Sequence, residues 1–275
     1  MSRPESIPPA WGAFLPKSWR ALWLRALHAL PPGNAWRRLA LWLRNPLKKW
    51  LDPVVDLEVW GLKLRLHSRG NLSEQRLIFM PQFLDTAERL AIGDALKDGG
   101  VFFDIGANAG IYALWVAAQR IPGTRVEAFE PDPQLCAALR FNLATNHLDS
   151  VHLHPLALGR SEGLVTLVSG STNKGENRIE SSPAATGVDV TMTTLPAFLE
   201  RSAIPFITAL KIDVEGHESE VLEPLFAQTP RILWPRLLIC ELVHDAAHRL
   251  PELLERHHYR LIARGRLNGI YQLDP

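Results

Sequence analysis

The chain has 275 residues, of which 47% are apolar and 21% charged, and its formal net charge is +1. This composition is typical of a globular protein with a substantial core, and so small a net charge argues against a nucleic-acid-binding protein. No apolar run is long enough to span a bilayer, and the first residues lack a signal-peptide core, so a cytoplasmic protein is expected. Two distant cysteines, Cys136 and Cys240, predict buried thiols in a reducing compartment, not a disulfide framework.

Residues 1–52 form a basic, tryptophan-rich segment that holds six of the nine tryptophans. Apolar residues recur at helical spacing over residues 18–30 and again over residues 36–50, which predicts two amphipathic helices. Pro46 is expected to kink or interrupt the second helix.

Residues 1–50 carry nine Lys or Arg but a single acid, Glu5. Amphipathic helices of this composition either pack against protein, on the same chain or on a second copy, or lie at a membrane surface. We favour packing, and peripheral membrane contact remains the alternative.

The rest of the chain divides into a lead-in segment, residues 53–98, and a larger α/β domain, residues 99–275. In the lead-in, an alternating pattern predicts a hairpin over residues 57–66, followed by two helices. In the larger domain, strands alternate with helices in the manner of a doubly wound parallel sheet. The predicted strands span residues 101–104, 125–130, 151–155, 206–213 and 236–242, with an inserted pair over 163–168 and 188–193 and a terminal antiparallel pair over 259–263 and 269–273.

A glycine-containing turn follows the first strand of the larger domain. The sequence Val101 to Gly110 reads V-F-F-D-I-G-A-N-A-G, which predicts a strand, a tight turn and the start of a helix. Asp104 ends the strand, and the N–H groups of the turn are expected to be free to face a ligand. By itself this pattern fits a plain loop as well as it fits a nucleotide site.

Glu130 ends the next strand, twenty residues after Gly110. In nucleotide-binding α/β sheets an acid at this place accepts hydrogen bonds from ribose hydroxyls. Asn108, however, stands where dinucleotide-binding turns have the glycine that lets a pyrophosphate approach. A ligand with ribose but no pyrophosphate therefore fits better, and S-adenosyl-L-methionine is the candidate.

A third motif, Leu210 to Glu218, reads L-K-I-D-V-E-G-H-E. It places Asp213 and Glu215 at the carboxyl end of a strand, the edge at which open α/β sheets bind ligands. Glu218 is more simply explained as an acid at the start of the following helix.

With these motifs together, the sequence resembles the FkbM family of S-adenosylmethionine-dependent methyltransferases. The resemblance covers roughly residues 99–245, and Pro196 departs from it by replacing the family's usual acid. The resembling stretches are F-D-I-G-A-N-A-G at 103–110, A-F-E-P-D-P at 128–133, A-L-G at 157–159 with Gly163, T-T-L-P-A-F-L at 193–199 and K-I-D-V-E-G-H-E at 211–218.

The resemblance implies a class I methyltransferase fold, a Rossmann-like seven-stranded sheet whose last strand is antiparallel. It also implies methylation of a hydroxyl of a sugar, glycolipid, polyketide or other secondary metabolite. The residues that would line the methionine part of the cofactor are Asp104, Gly106, Asn108 and Gly110. Glu130 would hold the ribose, and Asp132, Leu156 and Ala157 would flank the adenine.

Transfer of a methyl group to a hydroxyl requires alignment of the reacting atoms and a group that takes the proton. Asp213 is the first candidate for that base, followed by His217 and Glu215, with His244 as a further one. The spacing of His244 and His248 suits a metal, but a lone pair of histidines is more often a helix surface, so no metal is predicted.

The polar loop 169–187 is expected to act as a lid over the acceptor, or else to be a plain insertion.

Two other functions are possible alternatives. An NAD- or nucleotide-sugar-dependent oxidoreductase is the alternative enzyme, which the turn at Asn108 disfavours. A membrane-associated scaffold without activity is the non-enzymatic alternative, against which Asp104, Glu130 and Asp213 argue.

Overall fold

The computed structural model describes residues 8–168, 178–180, 187–243 and 249–275. The helices are α1 (Trp19–His28), α2 (Asn34–Trp50), α3 (Leu72–Phe79), α4 (Thr86–Ala95), α5 (Ile111–Ala118), α6 (Pro133–Thr145), α7 (Leu195–Ser202), α8 (Glu218–Gln228) and α9 (Arg249–Arg256). The strands are β1 (Val54–Val59), β2 (Leu62–His67), β3 (Gly100–Ile105), β4 (Thr124–Phe129), β5 (Val151–His154), β6 (Ala157–Leu158), β7 (Gly163–Val168), β8 (Arg178–Glu180), β9 (Val188–Thr193), β10 (Ala209–Ile212), β11 (Leu237–Glu241), β12 (Tyr259–Arg264) and β13 (Asn268–Leu273).

Seven strands form the central sheet in the order β12-β13-β11-β10-β3-β4-β5. β3 pairs in parallel with β4 and β10, and β13 is antiparallel to both of its neighbours. The predicted class I methyltransferase fold, including the antiparallel last strand, is thereby confirmed. The order reverses beside β3, because the chain first builds outward to β5 and then returns to place β10 on the other side. Sheets of this kind bind ligands at that switch point.

Helices cover both faces of the sheet, so its central strands are apolar on both sides. In β3, Phe102 joins the core on one face and Phe103 the core on the other, and both are fully buried. The first face also receives the N-terminal helices, the β1–β2 hairpin and α5, and the second receives α7, α8 and α9.

The β1–β2 hairpin forms hydrogen bonds with residues 9–14, near the start of the described chain, and so holds that segment against the core. Asp56, fully buried, pairs with Arg65 and accepts hydrogen bonds from the N–H groups of Gly12 and Phe14. Arg65 in turn donates to the carbonyl oxygen of Pro9. Burial acts to raise the pKa of Asp56, but the hydrogen bonds and the charge of Arg65 outweigh it and leave that pKa below its ordinary value.

Several predicted details differ from the structure. α2 continues through Pro46 without interruption. The inserted pair of strands, β7 and β9, belongs to a second, four-stranded sheet in the order β6-β9-β7-β8. β10 is shorter than predicted and ends at Ile212, so Asp213 is the first residue beyond the strand.

Some expectations fall where the structure gives no description. Apart from residues 178–180 and 187, the proposed lid lies outside the described residues, as do His244 and His248. Among the described helices, none combines the length and the apolar composition needed to cross a bilayer.

Candidate active site

A cleft opens at the carboxyl ends of β3, β4 and β10, the three strands around the switch point, and it encloses about 590 Å³ of space, part of which is open solvent. Seven of the residues predicted from the sequence line this cleft, namely Gly106, Asn108, Glu130, Leu156, Ala157, Asp213 and Glu215. The other lining residues are Ile105, Phe129, Pro131, Leu135, Leu158, Leu167 and Val214.

Two strand ends approach so closely at the base of the cleft that only glycine fits. Gly106 has φ +71°, and a Cβ there would lie 2.0 Å from the carbonyl oxygen of Asp213. Asp213 also donates its backbone N–H to the carbonyl of Ile105 at 3.1 Å. The glycine therefore brings the turn after β3 against the residue that follows β10, which places Asp213 beside the turn.

The backbone N–H groups of the turn after β3 were expected to be free for a ligand, but they are already hydrogen-bonded within the protein. Each of the five, from Gly106 to Gly110, donates to a protein acceptor. Gly106 and Ala107 donate to the carbonyl of Phe129, and Gly110 donates to the carbonyl of Ala107. Asn108 donates to Glu130, and Ala109 to the side-chain oxygen of Asn108. A pyrophosphate would find no unused N–H within residues 106–110.

Glu130 faces the cleft from the end of β4. Its two carboxylate oxygens accept hydrogen bonds from the N–H groups of Asn108, at 2.7 Å, and Asp132, at 2.8 Å. Each oxygen keeps a further lone pair for a hydroxyl donor. Burial raises the pKa of Glu130 to about 7, although the two N–H donors act in the opposite direction.

Asp104, Lys211 and Asp213 form a charged group beside the cleft, in which Asp104 and Lys211 are buried and Asp213 is partly exposed. Asp104 and Lys211 are register partners on adjacent strands, and the Lys211 ammonium donates to Asp213 at 3.1 Å. Burial raises the pKa of Asp104 to about 6 against the pull of Lys211. Burial acts to lower the pKa of Lys211, but the carboxylates of Asp213 and Asp104 outweigh it and raise that pKa.

The turn after β10 is held in an unusual backbone conformation. Glu215 has φ +55° and Gly216 has φ +98°. Glu218 accepts hydrogen bonds from the N–H groups of Val214 and Gly216, so this acid has the structural role expected for it. Left-handed angles in a side-chain-bearing residue cost free energy and concentrate at functional sites. Here they direct the turn so that Glu215 lines the cleft.

Four of the predicted site residues do not line this cleft, and their described contacts support the backbone. Asp104 accepts a hydrogen bond from the N–H of Ala113, and Asp132 accepts from Gln134 at the start of α6. At Gly110, a Cβ would lie 2.4 Å from Leu139. His217 precedes α8, and its Nδ1 lies 3.4 Å from a carboxylate oxygen of Glu220. Their proposed roles at the ligand remain predictions.

Three carboxylates meet at the edge of the site. Oxygens of Asp213, Glu218 and Glu241 lie within 4.8 Å of one another. Asp213 has the Lys211 ammonium as its partner, and Glu218 accepts two backbone hydrogen bonds. Protein groups thus already compensate Asp213 and Glu218.

Sequence reasoning missed two residues that position the site. Asn71, at the start of α3, donates from its side chain to Asn108 at 2.6 Å and so holds the turn from outside the larger domain. Lys211 lies within the quoted motif, two residues before Asp213, and strand alternation could have placed both side chains on one side. For Asn71 no signal in the sequence connects it with a turn 37 residues away.

Comparison with known proteins agrees with this geometry. The family model described as "Methyltransferase FkbM domain" matches residues 104–261, more than half of the chain. The chain is 30% identical over 227 residues to 31-O-demethyl-FK506 methyltransferase FkbM of Streptomyces tacrolimicus. The aligned part covers 70% of this chain and 85% of that protein. It is 26% identical over 148 residues to Methyltransferase 1 of Beauveria bassiana, covering 46% and 59%.

A crystal structure of an FkbM methyltransferase from Methylobacillus flagellatus is similar with a TM-score of 0.41 and 18% identity, over 64% of this chain and 44% of that one. The chain thus spans less than half of that crystallised protein. Family membership follows from the family model and the first of the relatives, which together cover the turn, Glu130 and the motif at Asp213. The chain belongs to the FkbM methyltransferase family.

Proposed function

We propose that this protein transfers a methyl group from S-adenosyl-L-methionine to a hydroxyl of a small molecule or glycan. The observation that carries the proposal is one cleft in which Glu130, apolar walls and Asp213 meet, at a turn whose N–H groups are already used. This cleft suits a ribose, a flat apolar ring and a cationic centre, but not a pyrophosphate.

The charges of the site suit such a cofactor. Asp104, Glu130, Asp213 and Glu215 lie in or beside the cleft, and Lys211 is the cation of the charged group. S-adenosylmethionine carries a sulfonium and an ammonium group against one carboxylate, so an excess of carboxylates attracts it. Asp104 Oδ1 is fully buried and has no hydrogen-bond partner among the described residues, so its charge adds to the negative field beside the cleft.

The walls of the cleft define where each part would bind. Glu130 would accept hydrogen bonds from the ribose hydroxyls. Leu135, Leu156 and Leu158 supply the apolar surface for the adenine. Gly106 and Asn108 would lie along the methionine part, at the side of the cleft nearest Asp213.

The bound cofactor supplies an electrophilic methyl carbon, and the chain's own residues orient the acceptor towards it. Asp213 is 35% exposed at its side chain and lines the cleft, so its carboxylate can accept the hydrogen bond of an acceptor hydroxyl. Lys211 fixes the orientation of that carboxylate through their 3.1 Å contact. Asp213 thus positions the hydroxyl and takes its proton, with His217 and Glu215 as the other candidates for the base.

The acceptor is proposed to be a hydroxyl compound such as a sugar, glycolipid, polyketide or other secondary metabolite, and not a nucleic acid. The name of the relative from Streptomyces tacrolimicus supports methylation of an oxygen. The near-zero net charge supports the exclusion of nucleic acid. A cytoplasmic location is proposed because Cys136 and Cys240 are buried and unpaired.

Calorimetry with S-adenosylmethionine and with NAD tests the cofactor. We expect binding of S-adenosylmethionine alone, and a loss of about ten- to one-hundredfold in affinity in Glu130→Gln, since a hydrogen bond to a charged group contributes about 1.5–3 kcal/mol. The exposed acid Glu223 provides the matched control, Glu223→Gln. Binding of NAD without S-adenosylmethionine would overturn the proposal. Transfer of labelled methyl groups to a panel of hydroxyl compounds then tests the acceptor.

A further inference from the structure

The helical pair α1–α2 has one face that is already occupied by the protein. Leu24, Leu27, Ala40 and Leu47 are buried in the core that lies on the same side of the sheet as α5. The helices are also fixed by polar contacts, since Gln82 donates to the carbonyl of Leu27 at 2.6 Å. Internal packing therefore accounts for the buried side chains of both helices and leaves their exposed apolar side chains to be explained.

Both helices nevertheless expose large apolar side chains. Trp42 is 71% exposed, Leu22 66% and Trp50 60%. Trp19, Trp36 and Leu39 are exposed as well. Because the two helices contact each other, these exposed side chains belong to one helical pair. Large apolar side chains clustered on a surface usually mark an interaction site.

The same two helices are cationic. Residues 8–51 carry eight Lys or Arg and no acid. Arg25, Arg38 and Lys49 are exposed on these helices. Arg44 Nε is buried without a hydrogen-bond partner in the described part of the chain. Burial lowers the pKa of Arg44, and the positive charges of Arg37 and Arg76 lower it further.

These observations separate the candidate occupants. A second copy of the chain would bring a like-charged surface against this one, which the shared positive charge opposes. An anionic lipid surface complements both features, since tryptophans prefer the depth of the headgroups and Lys and Arg attract anionic lipid. We infer that the exposed surface of α1 and α2 binds the surface of an anionic membrane, with its apolar side chains inserted at headgroup depth.

Membrane binding by α1 and α2 does not depend on the proposed methyl transfer. Sedimentation of the full chain with lipid vesicles tests it. The vesicles are phosphatidylcholine alone, or phosphatidylcholine with about one-third phosphatidylglycerol. We expect the protein to sediment only with the anionic vesicles. Arg38→Glu with Lys49→Glu should weaken binding at least about tenfold, given about fivefold per basic residue. Trp42→Ala with Trp50→Ala should separately weaken binding, because it removes apolar area that enters the membrane.

The matched control is Leu90→Ala with Ile232→Ala, because these side chains are 68% and 63% exposed on other parts of the molecule. It should bind as the unchanged protein does. Equal binding to both vesicle types, no binding, or equal losses in control and test variants would overturn the inference. So would a dimer, seen by sedimentation equilibrium, that the tryptophan variant abolishes, since a second copy would then cover this surface. Thermal unfolding of each variant verifies that the exposed substitutions leave the fold intact.

Discussion

The ammonium of Lys211 and the carboxylate of Asp213 are in contact at 3.1 Å, on the same side of a chain segment that ends at the candidate site. Lys211 is buried and lies opposite Asp104 in the sheet, so one cation lies near the carboxylate of Asp104 on β3 and that of Asp213 just beyond β10. This arrangement places the partly exposed acid of Asp213 at the cleft with a buried cation behind it. It also makes Lys211 the residue on which the charge balance of the site depends.

Replacing Lys211 with methionine should reduce both stability and activity. Removing the buried cation beside the fully buried Asp104 leaves uncompensated charge, but because Asp213 is 35% exposed the cost should fall below about 3–5 kcal/mol, which is typical of a fully buried pair. The loss of stability should be larger at pH 8 than at pH 5, because protonation of Asp104, whose pKa is about 6 even with Lys211 present, relieves the charge at low pH. Urea unfolding at the two pH values measures this difference, and an equal loss at both would contradict it.

Cofactor affinity should increase as the pH rises from 5 to 8. Burial raises the pKa of Asp104 to about 6 and of Glu130 to about 7, so both carry protons over part of this range. A cationic ligand with ribose donors favours the ionised carboxylates, and binding near pH 6 should therefore release protons. Calorimetry in two buffers of different ionisation enthalpy counts the protons. Glu130→Gln should lose the part of the release that is centred near pH 7.

The same two acids predict the opposite trend for the stability of the ligand-free protein. Their folded-state pKa values lie above the ordinary values of 3.8 and 4.5, so the folded state binds protons more tightly than the unfolded state does. Their favourable contribution is complete below the ordinary values and is lost as the pH rises through about 6 and 7. The free energy of unfolding should therefore fall from pH 4 to pH 8 in the ligand-free protein. The additional stability that the cofactor confers should grow over the same pH range.

The sequence predicted the strands of the sheet and the residues at their carboxyl ends, because burial on both faces leaves continuous apolar runs that end in acids. Gly106, Asn108, Glu130, Asp213 and Glu215 do line one cleft. The contacts between these residues could not be predicted, since they depend on register and loop conformation.

Strand register and the partners of the turn's N–H groups could not be predicted from the sequence. The pairing of Lys211 with Asp104 depends on how β10 aligns with β3, 107 positions away, and no local pattern encodes that alignment. The N–H groups of the glycine turn were expected to be free, but the loop folds back so that Phe129 and Glu130 accept several of them. Local sequence specifies a turn, whereas long-range packing determines the partners of its backbone.

Asp56→Asn should destabilise the protein by about 3 kcal/mol, because a buried carboxylate that pairs with Arg65 and accepts two N–H groups is replaced by a neutral amide. The pKa of Asp56 is below its ordinary 3.8 in the fold. Its contribution is therefore present above pH 3.8 and lost as the pH falls through the lower folded-state value. Unfolding in urea at pH 7 and pH 3 measures both effects, and the exposed Asp94→Asn serves as control.

Gly106→Ala and Gly123→Ala together separate backbone strain from close packing at the site. Both glycines have nearly the same φ, +71° and +73°, but a Cβ at Gly123 meets nothing within 4 Å, whereas at Gly106 it would lie 2.0 Å from the Asp213 carbonyl. We expect Gly123→Ala to cost about 1–2 kcal/mol through its left-handed angle and to leave cofactor affinity unchanged. Gly106→Ala should cost about 3 kcal/mol or more and weaken cofactor binding more than tenfold, because the two strand ends must separate. Urea unfolding and cofactor calorimetry on both variants provide the comparison. Equal effects of the two substitutions would show that the approach of Gly106 to Asp213 does not hold the site together.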